Sequence, residues 1–402
     1  MSLFAPSRDN FVKDILRKLD ARQVQGTYKP ETFSVSTSTG LDLYLGNVYA
    51  EVCVAPLWNR GKLIERFLSI LDADPMSQGD EPFETAREHL MPKVRERMYT
   101  EQIRLRKISD GKPVELAQKV FAEGHLTLEV VYDTPRFTKS MRPAKLQEWG
   151  LTLDDALAIA NENLKRRSGN GGFAVIQPGL YVSTWRDTFD ASRLALQDFV
   201  TQLEVKGRIV AMVPNRDVLI VTGEGDTDGL VKMASMCEKV LKDPRPMIGM
   251  AFRLDAGWVP FLPPEDHPAY RSLKVLQLQS LAEIYGEQKA AVDQQNVERN
   301  IDVFVASFLA YANPTGSPIS MSSWTATVDT LLPQTDLIGF VGLGPDDKPG
   351  RMIGQAKWND VMRVCPNLLE PQGMYPERYR TLGFPTDSDF EAIHIINAPE
   401  SR

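Results

Sequence analysis

Five polar residues stand where strands and helices are expected to end, and their types suit the handling of an anion or a metal ion: Asp187, Asp190, Arg193, Arg216 and Asp217. Neighbouring carboxylates supply metal ligands or acid and base groups, and an arginine fork holds a carboxylate or phosphate through two parallel hydrogen bonds. Convergence of the five in space would make a ligand or interaction site, or the centre of a metal- or anion-dependent enzyme. Each also has an ordinary structural role open to it. Asp190 is placed to cap a helix, Asp217 to lead from a turn into a strand, and Arg193 to bridge to either carboxylate from a first helical turn.

Other candidates are weaker on their own chemistry. The run from Val221 to Gly229, VTGEGDTDG, is a glycine-rich turn between a strand and a helix, where dinucleotide phosphates bind. Its glycines follow GxGxxxG, not GxGxxG, and Glu224, Asp226 and Asp228 would surround a pyrophosphate with negative charge. As a calcium loop it lacks the closing bidentate glutamate, because that position holds Ser235. Acids complementing a helix dipole are the plain alternative. The histidines His89, His125, His267 and His394 lie apart from one another and from any cysteine, and no GxSxG elbow occurs. These patterns predict no cofactor and no metal, and they leave the catalytic residues, if any, unknown.

The stretch from Arg87 to Lys107 carries Lys93, Arg95, Arg97, Arg104, Arg106 and Lys107, with Glu88, Glu96 and Glu101 interleaved. Such alternation predicts a solvated helix face. A net charge of −7, from 46 basic and 53 acidic side chains, also argues against a nucleic-acid partner. Trp324, Trp358, Met374 and Tyr375 are large residues among turns, fit for core packing or for anchoring a partner.

The elements that must position these residues follow from periodicity. At 402 residues with 43% hydrophobic and 25% charged composition, the chain is expected to fold as two or three domains. Phe11, Ile15, Leu16 and Leu19 predict a packed first helix, with a membrane-surface anchor as the lesser reading. No apolar run reaches the ~20 residues of a membrane span. The spacing then predicts strands from Phe33 to Val54, a helix over 63–71, a polar loop over 72–83 and a strand over 125–132. Thr152 and Asp155 mark a helix start, and Lys165 to Arg167 before Gly169 mark its end with a left-handed glycine cap. Strands are expected at 173–176, 180–183, 209–213, 218–221, 247–254 and 258–262. Asp190 would cap a helix bearing Leu196, Phe199, Val200 and Leu203. Hairpins mixed with helices indicate α+β, with a mixed or antiparallel sheet and packed helices.

Within this pattern Trp149-Gly150-Leu151, Asp190-Ala191-Ser192-Arg193, Val213-Pro214 and Asp217-Val218-Leu219-Ile220 resemble the YtpQ-like family of bacterial proteins of unknown function. The resemblance covers residues 1–262 and is best over 130–262. It implies a cytoplasmic α+β domain and carries over no catalytic residues. The expected layout is therefore a YtpQ-like unit over 1–262, with subdomains 1–110 and 120–262 possible, a helical bridge over 263–297, and a β-rich domain over 298–402. Three cysteines, Cys53, Cys237 and Cys365, fit a reducing compartment and make no CxxC pair. The expected function is non-enzymatic protein association with an unidentified partner, a homo-oligomer included, against the alternative of an enzyme built on the five residues above.

Overall fold

The amphipathic N-terminal segment forms helix α1 (Arg8–Asp20), whose Ser7 cap accepts a hydrogen bond from the Asn10 amide. Phe11, Ile15 and Leu19 are buried in one core with Val35, Ile64 and Leu68, which overturns the membrane-anchor reading of this helix. The structure, a computed structural model, describes residues 5–71, 81–109, 115–134, 138–169, 171–344 and 349–396. Most of the polar loop expected over 72–83 lies outside those residues. Strands β1 (Gly26–Lys29), β2 (Ser34–Thr37) and β3 (Asp42–Tyr44) make a small antiparallel sheet. The expected strand does not continue to Val54. From Gly46 the chain is helix α2 (Gly46–Val54), because Leu45, Val48 and Val52 fall on one face at helical spacing. Helix α3 (Leu57–Leu68) completes this unit around its own core.

Helix α4 (Phe83–Ala86) leads to β4 (Leu90–Glu96), followed by α5 (Arg97–Ser109), β5 (Gln118–Phe121), β6 (Leu126–Asp133) and β7 (Thr138–Ser140). The sheet order is β4-β6-β5, with β7 also on β6 and every pairing antiparallel. The solvated helix face expected from Arg87 to Lys107 is thus corrected in its first half. Leu90 to Val94 are buried in a strand, and helix begins only at Arg97. After α6 (Pro143–Glu148), helix α7 (Leu153–Arg167) opens with a full Thr152/Asp155 capping box and buries Ala156, Leu157, Ala160 and Leu164. Its end differs from expectation: Ser168 stays in helical conformation and its hydroxyl donates to the Leu164 carbonyl, and Gly169 has no positive φ.

The third sheet has six antiparallel strands in the order β13-β12-β10-β11-β9-β8. These are β8 (Phe173–Gln177), β9 (Leu180–Ser183), β10 (Ile209–Asn215), β11 (Val218–Gly223), β12 (Ala251–Leu254) and β13 (Trp258–Pro260), with α8 (Gln197–Thr201) and α9 (Thr227–Val240) between them. Strand alternation divides its two faces. Ala211, Val213, Leu219, Val221 and Phe252 join Leu126, Leu128 and Val130 of β6, and Val210, Met212 and Ile220 pack on α9. Asp226 caps α9 through the Gly229 amide, and Glu224 pairs with Arg208 and Arg253. The helix expected after Asp190 is mostly a tight turn, Ala191–Ala195. Asp190 makes no cap bond there, and α8 keeps only Gln197 to Thr201.

Helix α10 (Tyr270–Arg299) runs 30 residues, about 45 Å at 1.5 Å per residue. Beyond it lie β14 (Phe304–Val305), β15 (Leu309–Ala312), β16 (Pro318–Thr325), β17 (Thr330–Pro333), β18 (Leu337–Leu343), β19 (Pro349–Lys357), α11 (Trp358–Val364), β20 (Leu369–Pro371), β21 (Arg378–Thr381) and α12 (Asp387–Ala392). They form two four-stranded sheets, β14-β17-β21-β20 and β15-β16-β18-β19. Trp324 and Trp358 pack in the core here, and Tyr375 is buried in the core that holds Leu126 and Leu128 of β6, so these three are not surface anchors. The fold class is α+β, with several mostly antiparallel sheets. No helix among the described residues is long and apolar enough to cross a membrane.

Candidate functional site

The turn after β9 gathers three of the five residues singled out from sequence. Arg193 is fully buried and donates from Nη1 and Nη2 to the two Asp187 carboxylate oxygens at 2.9 and 2.8 Å. Its Nε donates to the Ser168 hydroxyl at 2.8 Å, and its guanidinium stacks 4.0 Å from the Trp185 ring centroid. The fork is therefore fully engaged in shaping the turn. Asp187 also accepts from the Phe189 amide, and Asp190 accepts from the Asp187 amide at 3.2 Å. Burial pushes the Asp190 carboxyl above its ordinary value, and its Oδ1 has no hydrogen-bond partner. Desolvation also acts on Asp187, but the Arg193 ion pair outweighs it and holds that carboxyl below the usual range.

Arg216 and Asp217 occupy the neighbouring turn between β10 and β11. The Ala191 amide donates to the Arg216 carbonyl at 3.1 Å, tying the two turns together, and Arg216 Nε donates to Asp217 at 3.2 Å. The five residues thus lie side by side. Of them Arg216 lines a cleft.

That cleft, of 370 Å³, runs along β4, which is an edge strand of its sheet. The Val94 amide, on the open edge, donates to the Ser192 hydroxyl at 3.0 Å, so the Asp190-to-Arg193 turn is fastened directly to the strand. Asn47 of α2, Tyr99 and Gln102 of α5, Arg245 to Met247, and Glu283, Ile284 and Glu287 of α10 close the remaining sides.

Lys93 is the unusual group. It is 6% exposed, donates to the Thr188 carbonyl, and sits 4.1 Å from the centroid of the Phe189 ring. It has no carboxylate partner among the described residues. Desolvation lowers its pKa to about 7, with Arg95 and Arg216 adding to the effect and Asp133 and Asp217 opposing it. The three arginines of the cleft are each paired: Arg95 with buried Glu129 at 2.6 Å, Arg216 with Asp217, and Arg245 with Glu51. Glu96 accepts from the Met98 amide at 2.7 Å and has no ion pair among the described residues. Burial pushes its carboxyl up to about 8; the Met98 amide pulls it down and Glu287 adds to the rise. A half-protonated amine and a carboxyl of similar pKa can each change charge when a ligand arrives.

Two larger cavities, of 770 and 560 Å³, flank α10 and the C-terminal sheets, but their central charges are already matched. Lys274 meets Asp336 at 2.8 Å, and Asp336 also accepts from the Ser320 amide and hydroxyl. His125, in the smaller of the two, lies 3.4 Å from the Tyr375 hydroxyl, and burial beside Arg97 lowers its pKa to about 4. Burial likewise pushes the Cys237 thiol up to about 12.

Sequence patterns single out Arg216 and miss Lys93 and Glu96, whose charge alternation predicts a solvated face. Leu90, Met91 and Val94 around them, with Pro92 in the run, are the signal of an edge strand. Nothing local marks Arg245, Glu283 or Glu287. No family model, curated protein or solved structure matches the chain.

Proposed function

We propose that the chain is a YtpQ-like cytoplasmic protein that binds a small anionic ligand in the cleft along β4. Lys93 carries this reading: a buried amine without a carboxylate partner borders a cleft whose arginines are already paired. An unpaired buried ammonium is costly, and an incoming anion supplies the missing charge. Titration calorimetry with small carboxylates and inorganic phosphate tests it. The wild type is expected to bind with proton uptake near pH 7, and Lys93→Met to lose at least about tenfold in affinity. Equal affinity in both proteins would reject the reading.

Catalytic use of Asp187, Asp190, Arg193, Arg216 and Asp217 has less support, because the Arg193 fork and both Asp187 oxygens are engaged in the turn. Protein association is a second reading, favoured by one observation. Val54, Leu57 and Trp58 are 68, 67 and 77% exposed where α2 meets α3. Contiguous exposed apolar side chains of this kind mark partner surfaces. Partners that co-purify equally with wild type and Leu57→Ser/Trp58→Ser would count against that surface, whether the partner is another protein or a second copy.

A further inference from the structure

We propose that the 560 Å³ cavity bounded by the β5–β6 turn, α10 and the C-terminal sheets is a second binding site, one for a monocarboxylate with an apolar body of about six to eight carbons. It shares no lining residue with the β4 cleft, so it stands or falls separately from the ligand of that cleft.

Three polar groups of its lining touch one another. The Arg97 guanidinium lies 4.6 Å from the centroid of the Tyr375 ring, and the Tyr375 hydroxyl is 3.4 Å from both Nδ1 and the carbonyl oxygen of His125. Arg97 Nη1 donates to the Gly124 carbonyl at 3.2 Å. Its other guanidinium nitrogens have no hydrogen-bond partner among the described residues, and it pairs with no carboxylate there. The acids nearby are engaged elsewhere. Glu101 holds Arg104, Asp336 meets Lys274, and Glu377 accepts from the amides of Gln372, Gly373 and Arg378. Glu123 is exposed, and Glu96, with its carboxyl pushed up to about 8, is mostly protonated at pH 7. Arg97 thus brings an unmatched charge to the cavity.

The Tyr375 hydroxyl is underused. The side chain is buried, yet both of its contacts are long beside the ~2.7–2.8 Å usual for a hydroxyl donor. Burial pushes the phenol well above its ordinary pKa and lowers that of His125 to about 4, so both are uncharged at neutral pH and the hydroxyl keeps a proton to donate. A carboxylate between Arg97 and Tyr375 takes charge-assisted hydrogen bonds from both.

The turn that carries His125 is strained. Ala122 and Glu123 have φ of 51° and 47°, ahead of Gly124 at 95°. Left-handed backbone crowds Cβ against the following carbonyl, and such outliers collect at ligand sites. Met250, Leu278, Leu281 and Phe308 give the same cavity an apolar wall, which calls for a ligand body rather than a bare anion. A dianion such as phosphate would find one unmatched cation and leave that wall uncovered.

The test follows the His125 ring by proton–carbon NMR in the full chain, whose four histidines give few signals; the His125 signal is the one lost in His125→Asn. Octanoate is expected to shift it saturably. Octanamide, which lacks the charge, and acetate, which lacks the body, are expected to bind at least about tenfold more weakly. Arg97→Met is expected to weaken octanoate at least about tenfold, and Tyr375→Phe, which removes the hydroxyl and keeps the ring, by about tenfold. Should Arg97→Met fail to fold, Tyr375→Phe decides. A His125 signal unmoved by octanoate up to about 10 mM overturns the proposal. So does equal affinity for octanamide or acetate, or wild-type octanoate affinity in either folded variant.

Discussion

Lys93 and Glu96 give the molecule a pH signature with opposite slopes. Lys93 has a folded pKa of about 7 against 10.5 in the free side chain, so between those values the unfolded chain holds more protons. Stability from this group therefore rises with pH through that window. Glu96 has a folded pKa of about 8 against 4.5, so the folded chain keeps a proton the unfolded one has lost, and stability falls as pH rises from 4.5 to 8. Urea midpoints across the two windows should show Glu96→Gln flattening the lower limb and Lys93→Met the upper one. At pH 7 Lys93→Met should be more stable by about 1–3 kcal/mol, as when other buried charges are replaced by apolar groups. Parallel pH profiles in all three proteins would contradict this. Little of the pair was legible beforehand, because a lysine in a strand and a lysine on a helix face have the same local charge pattern. What separates them is burial against Phe189 and the Thr188 carbonyl, nearly a hundred positions away in the chain. Arg193 was legible as a residue to watch, but its engagement with Ser168 was not.

At the scale of elements, α10 is fastened to the C-terminal sheets by a buried cation. Arg378 of β21 is fully buried and donates to Gln288 Oε1 at 2.6 Å and to the carbonyls of Ala306, Leu331 and Tyr285 at 2.8, 3.0 and 3.3 Å. Desolvation lowers its pKa to about 10, still well above neutrality. Arg378→Met removes all four of these hydrogen bonds from a buried site, although the Leu331 carbonyl keeps the Ala306 amide, and should cost about 3–5 kcal/mol. Limited proteolysis should then cut within residues 300–396 well before the rest; an unchanged digest would show that the arginine is not the fastening. Helix α7 was readable because its whole start is local: Thr152 and Asp155 satisfy each other's amides within four residues. Helix α2 was not. Tyr, Val and Cys suit strands, and only the packing of Val48 and Val52 on α1 selects the helical period.

At the scale of the whole molecule, the sequence suggested a bridge between domains at 263–297, and the helix found there is shared by neighbouring cores. Leu273 and Leu276 pack under the six-stranded sheet, Ile284 joins the central core, Tyr285 stacks on Phe308 with centroids 5.1 Å apart, and Val292 packs with Val305 and Leu331. The N-terminal unit keeps its own core. Calorimetry should therefore resolve two transitions, a small one for residues 5–71 and a large cooperative one for the remainder. Tyr285→Ala should split the large transition by loosening the C-terminal sheets. A separate C-terminal transition in the wild type would refute the shared-core account. Periodicity made the helix legible, but the mixture of polar and apolar residues all round it hid how many neighbours it serves.

The exposed Trp58 also makes the molecule an optical instrument. Of six tryptophans, Trp258, Trp324 and Trp358 are buried and Trp149 and Trp185 half-buried, so a collisional quencher added to solution reaches Trp58 most freely. That indole stands at the start of α3, on the unit that carries Asn47 and Glu51 to the edge of the cleft. Its quenching constant, the largest of the six, reports chiefly on the N-terminal unit, in unlabelled protein, while the cleft is filled.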